Sequence, residues 1–286
     1  MKAWWRIKKE IKTIIFSLVI CVIGIIWFIP IFWMLSTSFK PTPVAVAEVK
    51  PQWIPKPFTI ENYLTVWSPA GGISVANAFK NSVIVAIIAT IAGLVVATPA
   101  AYALSRIEFP GQKLIFWAYV AILAFPGILF LVPNYFIIHS LNLMNTFSAL
   151  ILPGLGGTFG VFMLRQYMLG IPKELEEVAF IDGCSRLRFL ITIAVPLIRP
   201  ALVTLALMTF LGSWNSFLWP LLVLTTSDKF TLPIALVRFS AGWGDPYRGI
   251  GPTMAAAFIS VAPVLLIFVL FHRYLLRGIS LGGVVK

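Results

Sequence analysis

The chain has 286 residues, of which 59% are apolar and only 11% charged, with a mean hydropathy of +0.95. A soluble domain carries about 25% charged residues, so water is not the main solvent here. The net charge of +12 does not point to nucleic acid, because the basic residues sit in short segments between long uncharged runs.

A charge-free apolar run of about 20 residues is enough to cross the hydrocarbon core as a helix. The first such run is 13–39. Its basic lead (Lys2, Arg6, Lys8, Lys9, Lys12) resembles a signal peptide, and Ala45-Val46-Ala47 mimics a cleavage site. The run is much longer than the roughly 7–15 residues of a signal core, so an uncleaved first helix is expected. The stretch 40–80 is rich in Pro and Trp and reads as irregular, with a short helix near 60–66. The second span is 81–105. Residues 114–164 contain no Asp, Glu, Lys or Arg over 51 positions, too long for one span. The polar middle, 139–146, is the natural turn, giving a third span over 114–137 and a fourth over 147–168. The fifth span is 201–227, a short surface helix is expected over 231–239, and 249–272 contains the sixth.

Lys and Arg set the orientation. Segments 1–12, 106–113, 165–199 and 273–286 share one side and carry fifteen Lys/Arg, against seven in 40–80, 138–146 and 228–248. Both termini are therefore expected in the cytoplasm. The domain organisation is a cytoplasmic tail 1–12, a six-helix domain 13–275 that includes the loop 170–199, and a cytoplasmic tail 276–286. Pro30, Pro99, Pro126, Pro133, Pro153, Pro220 and Pro263 fall within or near span ends. Each removes a backbone donor, which is tolerated where backbone is buried or lines a cavity. Gly156 and Gly160 form a GxxxG pattern that permits close helix packing.

Cys21 and Cys184 give neither a disulfide framework nor a metal spacing, and His139 and His272 stand alone. The chain has no Gly-Lys pair, so the phosphate cradle of an ATPase is missing. There is no HExxH and no nucleophile elbow, which leaves a membrane enzyme without a catalytic constellation. The span centres hold no Asp, Glu, Lys or Arg. This argues against proton coupling and suggests a neutral substrate, while sodium coupling through backbone carbonyls stays open.

Loop 170–200 is the longest on the basic side. Pro172 suits a first helical position, with Glu174, Glu176 and Glu177 expected in the first turn. Leu175, Val178 and Ala179 fall on one stripe. Gly183 breaks the helix, and Ser185 caps a second one carrying Arg186 and Arg188. Two short amphipathic helices meeting at a glycine turn suit a groove on a soluble partner. Periodicity alone equally allows a helix lying on lipid.

This loop resembles the EAA motif of permease subunits of ATP-binding-cassette (ABC) importers, which reads Glu-Ala-Ala, three residues, Gly, nine residues, Ile-x-Leu-Pro. Glu177, Ala179, Gly183, Ile193 and Pro196 stand at the matching positions. Val178 replaces the second motif residue and Val195 replaces Leu. Trp53-Ile54-Pro55-Lys56-Pro57-Phe58-Thr59-Ile60-Glu61-Asn62-Tyr63, Ala100-Ala101-Tyr102-Ala103-Leu104-Ser105-Arg106 and Trp214-Asn215-Ser216-Phe217-Leu218-Trp219-Pro220 resemble the sugar-type, maltose-transporter-like branch of that family. The tail, Arg277-Gly278 and Gly283-Val284-Val285-Lys286, is similar to the end of the shorter of that branch's two permeases.

The resemblance implies an all-α, MetI-like fold with six membrane helices in the cell membrane. It implies three kinds of protein partner: a second, different permease, a dimer of cytoplasmic ATPase subunits, and an extracytoplasmic solute-binding protein. Membrane lipid is the surrounding medium. ATP and Mg²⁺ would be bound by the ATPase, with no cofactor in this chain. Glu177, Val178, Ala179, Gly183, Ile193 and Pro196 would form the coupling element. The expected cargo is a sugar or oligosaccharide; a non-sugar solute is the alternative. Trp214, Asn215 and Phe217 offer rings and an amide suited to sugar faces and hydroxyls, and packing against neighbouring helices accounts for them equally well.

Overall fold

The computed structural model describes residues 2–47, 52–68, 73–244 and 249–280, with only the backbone of 2–9 and 272–280. The last residues of the tail, 281–286, lie outside the described residues. The described secondary structure is helical. In chain order the helices are α1 (Lys2–Ser38), α2 (Thr42–Ala47), α3 (Glu61–Trp67), α4 (Val75–Arg106), α5 (Gln112–Leu123), α6 (Leu131–Ser140), α7 (Phe147–Ile151), α8 (Thr158–Leu169), α9 (Lys173–Ile181), α10 (Arg186–Phe189), α11 (Val195–Leu197), α12 (Arg199–Trp214), α13 (Leu218–Val223), α14 (Leu232–Ala241) and α15 (Ile250–Ser280).

Three stretches are long and apolar enough to cross a membrane in one piece: Lys12–Ser38, Val75–Arg106 and Ile250–Phe271. Each carries an internal proline, Pro30, Pro99 or Pro263. The other three candidate spans are broken. Gln112–Leu123 and Gly127–Ser140 meet at 103°, Phe147–Gly154 and Thr158–Leu169 at 44°, and Arg186–Leu197 and Arg199–Trp214 at 82°. The sixfold count therefore holds only if each bent pair is one span.

Two expected spans and one expected surface helix differ from the sequence reading. The third expected span, 114–137, is not one straight helix. Pro126 supplies no N–H and disfavours helical backbone at Phe125, so α5 stops at Leu123 and the chain restarts with a 3-10 turn, Gly127–Phe130. The fifth expected span, 201–227, ends as a helix at Trp214. Pro220 has no N–H for the Ser216 carbonyl, so α13 begins as a separate helix with the proline in its first turn. The segment expected as a surface helix over 231–239 forms α14 but is partly buried, with Leu232 and Ile234 at 0% and 1% exposure. The expected turn between spans is present: Asn142 and Asn145 take positive φ, 55° and 59°, which asparagine tolerates better than most residues.

The described residues divide into two compact units. The first comprises 1–75 and 236–262. Side chains 12–30 of α1 are all exposed in the isolated chain, which leaves this apolar helix to lipid or protein. After α1 the chain closes on itself. Asn62 donates its amide to the carbonyls of Ser38 and Lys40, each at 2.8 Å, and the fully buried Lys40 ammonium donates to the Gln52 carbonyl. A Cβ at Gly251 would sit 2.6 Å from Asn62 Oδ1, so only glycine lets α15 pass this amide.

The second unit comprises 76–235 and 263–286. Its main core joins Ala97, Ala101 and Leu104 of α4, Val161, Leu164 and Met168 of α8, and Ala201 and Leu205 of α12. Gly160 lies at this junction, where an added Cβ would meet Leu205 at 3.0 Å and Ala97 at 3.6 Å. Gly156 has nothing within 4 Å, so of the GxxxG pair only Gly160 serves close approach. A smaller core gathers Ile138, Ala149, Val223, Leu224 and Ile234. Asn145 ties it together: its N–H donates to the Val223 carbonyl at 2.8 Å, and its own carbonyl accepts from Lys229 Nζ at 2.7 Å.

Candidate docking site

The loop 170–199 folds as an elbow inside the second unit. Pro172 adopts φ −55° and ψ 136° and stands just before the first helical residue of α9, Lys173, one position earlier than expected. Glu174 and Glu176 lie in the first turn, where the helix dipole favours them. α9 ends in a Schellman motif: Cys184 N–H donates to the Ala179 carbonyl at 2.9 Å, and Gly183 N–H to Phe180 at 3.1 Å. Such an ending needs a left-handed residue, and Gly183 has φ +79°. Ser185 then caps α10 by accepting the Arg188 N–H at 3.3 Å. Beyond α10 the chain makes one π-helical turn, Leu190–Ala194, before the bend at Pro196 and Pro200.

Two faces of the elbow do different work. The inner face is fixed to the core by Ala179, Phe189, Leu190 and Ala194, with Ile193 packed at the edge. The outer face is free. Glu177, Val178, Gly183 and Pro196 are exposed, as are Ile181 at 83% and Leu187 at 67%. The single stripe expected from Leu175, Val178 and Ala179 is thus divided: Ala179 is buried, while Leu175 and Val178 face outward. An α-helix places positions i and i+4 near each other but not identically, and here the core takes only the smallest of the three.

The grip on α9 comes from residues that sequence reasoning did not single out. Arg106, the last residue of α4, pairs with Glu176 at 3.4 Å, with side chains 5% and 13% exposed. The same guanidinium donates to the carbonyls of Met168, in the last turn of α8, and of Ile171, just beyond it. Tyr102, one turn earlier on α4, donates its hydroxyl to the other Glu176 oxygen at 2.9 Å. A planar guanidinium suits such multiple bonding, and lysine would not replace it. Arg165 of α8 adds a second tie: Nε donates to the Leu104 carbonyl at 2.9 Å, and the guanidinium lies 3.7 Å above the Phe116 ring. In the sequence Arg106 counts only as loop charge, and three nearby glutamates compete as partners. The i, i+4 spacing of Tyr102 and Arg106 was the available signal.

The three residues suggested for a substrate path are scattered. Trp214 is 2% exposed and packed between Phe79, edge-on at 5.6 Å, and Phe210, stacked at 5.9 Å. Asn215 and Phe217 are exposed. A cavity of about 170 Å³ lies beside them, lined instead by Thr209, Ser213, Ser216, Trp219 and Thr231 among others. Among the described residues no cluster of His, Cys, Asp or Glu is arranged to hold a metal.

The chain is thus a helical protein with up to six candidate membrane spans and a braced loop whose outer face presents apolar residues and charges of both signs. Residues 89–281 match the family described as binding-protein-dependent transport system inner membrane component, and the chain belongs to that family. It is 33% identical to the arabinooligosaccharides transport system permease protein AraQ of Halalkalibacterium halodurans, over 97% of this chain and 99% of that one. It is 32% identical to the trehalose/maltose transport system permease protein MalG of Thermococcus litoralis, over 96% and 98% of the two chains. The diacetylchitobiose uptake system permease protein NgcG of Streptomyces coelicolor is 33% identical over 91% of this chain and 84% of that one. Among solved structures, a bacterial ABC transporter that imports the acidic polysaccharide alginate matches with a TM-score of 0.82, covering 93% of this chain and 96% of that chain. At 19% identity that likeness establishes the fold. The chain is a multi-pass permease subunit of a membrane transport system.

Proposed function

We propose that this chain forms half of the translocation pathway of an ATP-driven importer for a sugar or oligosaccharide. A second, different permease supplies the other half. A separate pair of cytoplasmic ATPase subunits binds ATP and Mg²⁺, and an extracytoplasmic solute-binding protein delivers the cargo. Both termini and the elbow 170–199 face the cytoplasm, following the excess of Lys and Arg on that side. Glu177, Val178, Ala179, Gly183, Ile193 and Pro196 form the coupling element.

The observation that carries this reading is the elbow itself. Its inner face is clamped through Arg106 and Glu176, and its outer face offers Glu177, Val178, Ile181 and Leu187 with no cover from the described residues. α9 carries Glu174, Glu176 and Glu177 against one Lys173, which suits a basic groove on a protein better than an anionic lipid surface, while the elbow's basic pair, Arg186 and Arg188, sits on α10. The sugar assignment rests on relatives named for arabinooligosaccharides, trehalose/maltose and diacetylchitobiose. The test is ATP hydrolysis by the reconstituted importer. It is expected only when the ATPase is present and to rise when the binding protein carries an oligosaccharide. Stimulation by a peptide or phosphate ester, and by no oligosaccharide, overturns the sugar assignment.

A further inference from the structure

The cavity in the second unit has the features of a ligand site. Val85 and Ala89 of α4 form one wall, and they lie 10 and 14 residues inside that helix, about 15–21 Å from its N-terminal end at 1.5 Å per residue. At such depth in a membrane, polar groups find no bulk water. Yet the opposite wall is hydroxylated. Thr209 and Ser213 of α12 are one turn apart, and Ser216 follows in the break before α13. Thr231 also lines the cavity; it is 4% exposed, and its own Oγ1 is enclosed by protein. Thr231 immediately precedes α14, where a threonine ordinarily caps the helix. Here Pro233 at the second helical position has no N–H to be capped, and the Leu232 N–H donates to Ser82 Oγ at 2.7 Å. Hydroxyls gathered on one cavity wall, those of Thr209, Ser213 and Ser216, suit a hydrogen-bonding ligand.

The chemistry of such a ligand is narrow. No charged side chain is among the described residues that line the cavity, so an anion or cation gains nothing there. Trp219 presents a ring whose Nε1 is already bonded to the Ala149 carbonyl at 2.9 Å, so the indole is fixed as a flat wall. Flat aromatic faces with convergent hydroxyls suit a neutral ring carrying hydroxyl groups. The volume of about 170 Å³ is below the roughly 300–1,000 Å³ of sites for drug-sized ligands, which fits one sugar residue and not an extended chain.

We propose that this cavity is a transport subsite for a single neutral pyranose or furanose unit, hydrogen-bonded by Thr209, Ser213 and Ser216 and flanked by Trp219. The proposal rests on the sugar-importer reading and places part of the pathway in this chain's own second unit. Gly212 lies on the same lining, and a Cβ there meets nothing within 4 Å. Gly212→Leu therefore fills the cavity while improving helix propensity.

The test uses the whole importer in proteoliposomes, with Cys21 and Cys184 replaced and Ser213→Cys introduced. Labelled maltotriose, arabinotriose and diacetylchitobiose are offered, and alkylation by N-ethylmaleimide is followed with and without the transported one. The proposal expects the transported sugar to slow alkylation severalfold. It expects Ser216→Ala to raise the sugar concentration needed for that protection about tenfold, the loss of one hydrogen bond. Gly212→Leu should abolish protection while the complex still assembles. Transport of a sugar with no slowing of alkylation overturns the subsite and leaves the importer reading standing. Transport of a non-sugar solute and of none of the three sugars overturns the sugar reading and the subsite with it.

Discussion

Replacing Arg106 by alanine should release α9 from the membrane helices. The guanidinium is 5% exposed and its partner Glu176 13% exposed, so solvent does little to screen the pair. Removing one member of such a buried pair typically costs about 3–5 kcal/mol, because the other is left charged and unpaired. The bonds from Arg106 to the Met168 and Ile171 carbonyls are lost in the same step. An opening equilibrium shifts tenfold for each 1.36 kcal/mol, so a loss of about 3 kcal/mol raises local opening more than a hundredfold. Hydrogen–deuterium exchange of Lys173–Ile181, followed by mass spectrometry on the purified protein, reads this directly. Glu176→Gln should have a smaller effect, since Tyr102 keeps an oxygen acceptor and Arg106 keeps both carbonyls. Glu177→Ala is the control, because its side chain is exposed and makes no part of the clamp. Exchange of α9 in Arg106→Ala within a few fold of the parent would refute the clamp.

Gly183→Val places a β-branched residue at φ +79°. The added Cβ meets nothing within 4 Å, so the penalty is backbone strain of roughly 1 kcal/mol or more and not a clash. The variant should still insert in the membrane but retain less ATPase on co-purification. Glu177→Ala should weaken that retention less, and full retention with solute-stimulated hydrolysis in Gly183→Val defeats the coupling assignment. For topology, a thiol introduced by Ser185→Cys should resist an impermeant maleimide added to intact cells; labelling from outside reverses the proposed orientation.

Much of the docking loop was legible because its signals are local. A proline, a run of acids, a glycine and a serine each act on backbone within one or two turns. The structure returned all four at or within one position of their expected roles. Span boundaries were less legible. Charge-free length marks where a chain can lie in lipid, but Pro126 and Pro220 decide whether that length is one helix or two. The angle of the resulting break, 103° at the first of these, is set by packing that the sequence does not display. Arg106 and Glu176 were hidden for a different reason. They are 70 residues apart, and their pairing exists only because α4, α8 and α9 converge. The cavity was hidden likewise: its walls come from α4 at Ala89 and from α12 at Thr209, 120 positions later.

α4 is where these separate features join. Near one end it presents Tyr102 and Arg106 to α9, and further along it presents Val85 and Ala89 to the cavity. Seventeen residues separate Ala89 from Arg106, about 26 Å of helix. Pro99 lies between them, where one backbone hydrogen bond is missing and bending is easiest. A force on the outer face of α9 therefore reaches α4 through an ion pair and a phenol, both with defined geometry, and not through lipid. The same Arg106 also holds the end of α8. Gly160 of α8 packs against Leu205 of α12, one turn before Thr209 at the cavity wall. Displacing the elbow thus acts on two walls of the cavity from a single guanidinium. Packed contacts of this kind change by switching between discrete arrangements and not by stretching. On the proposed reading, ATP-driven movement at Glu177 and Val178 would reshape a site that binds sugar hydroxyls without either residue approaching the cargo.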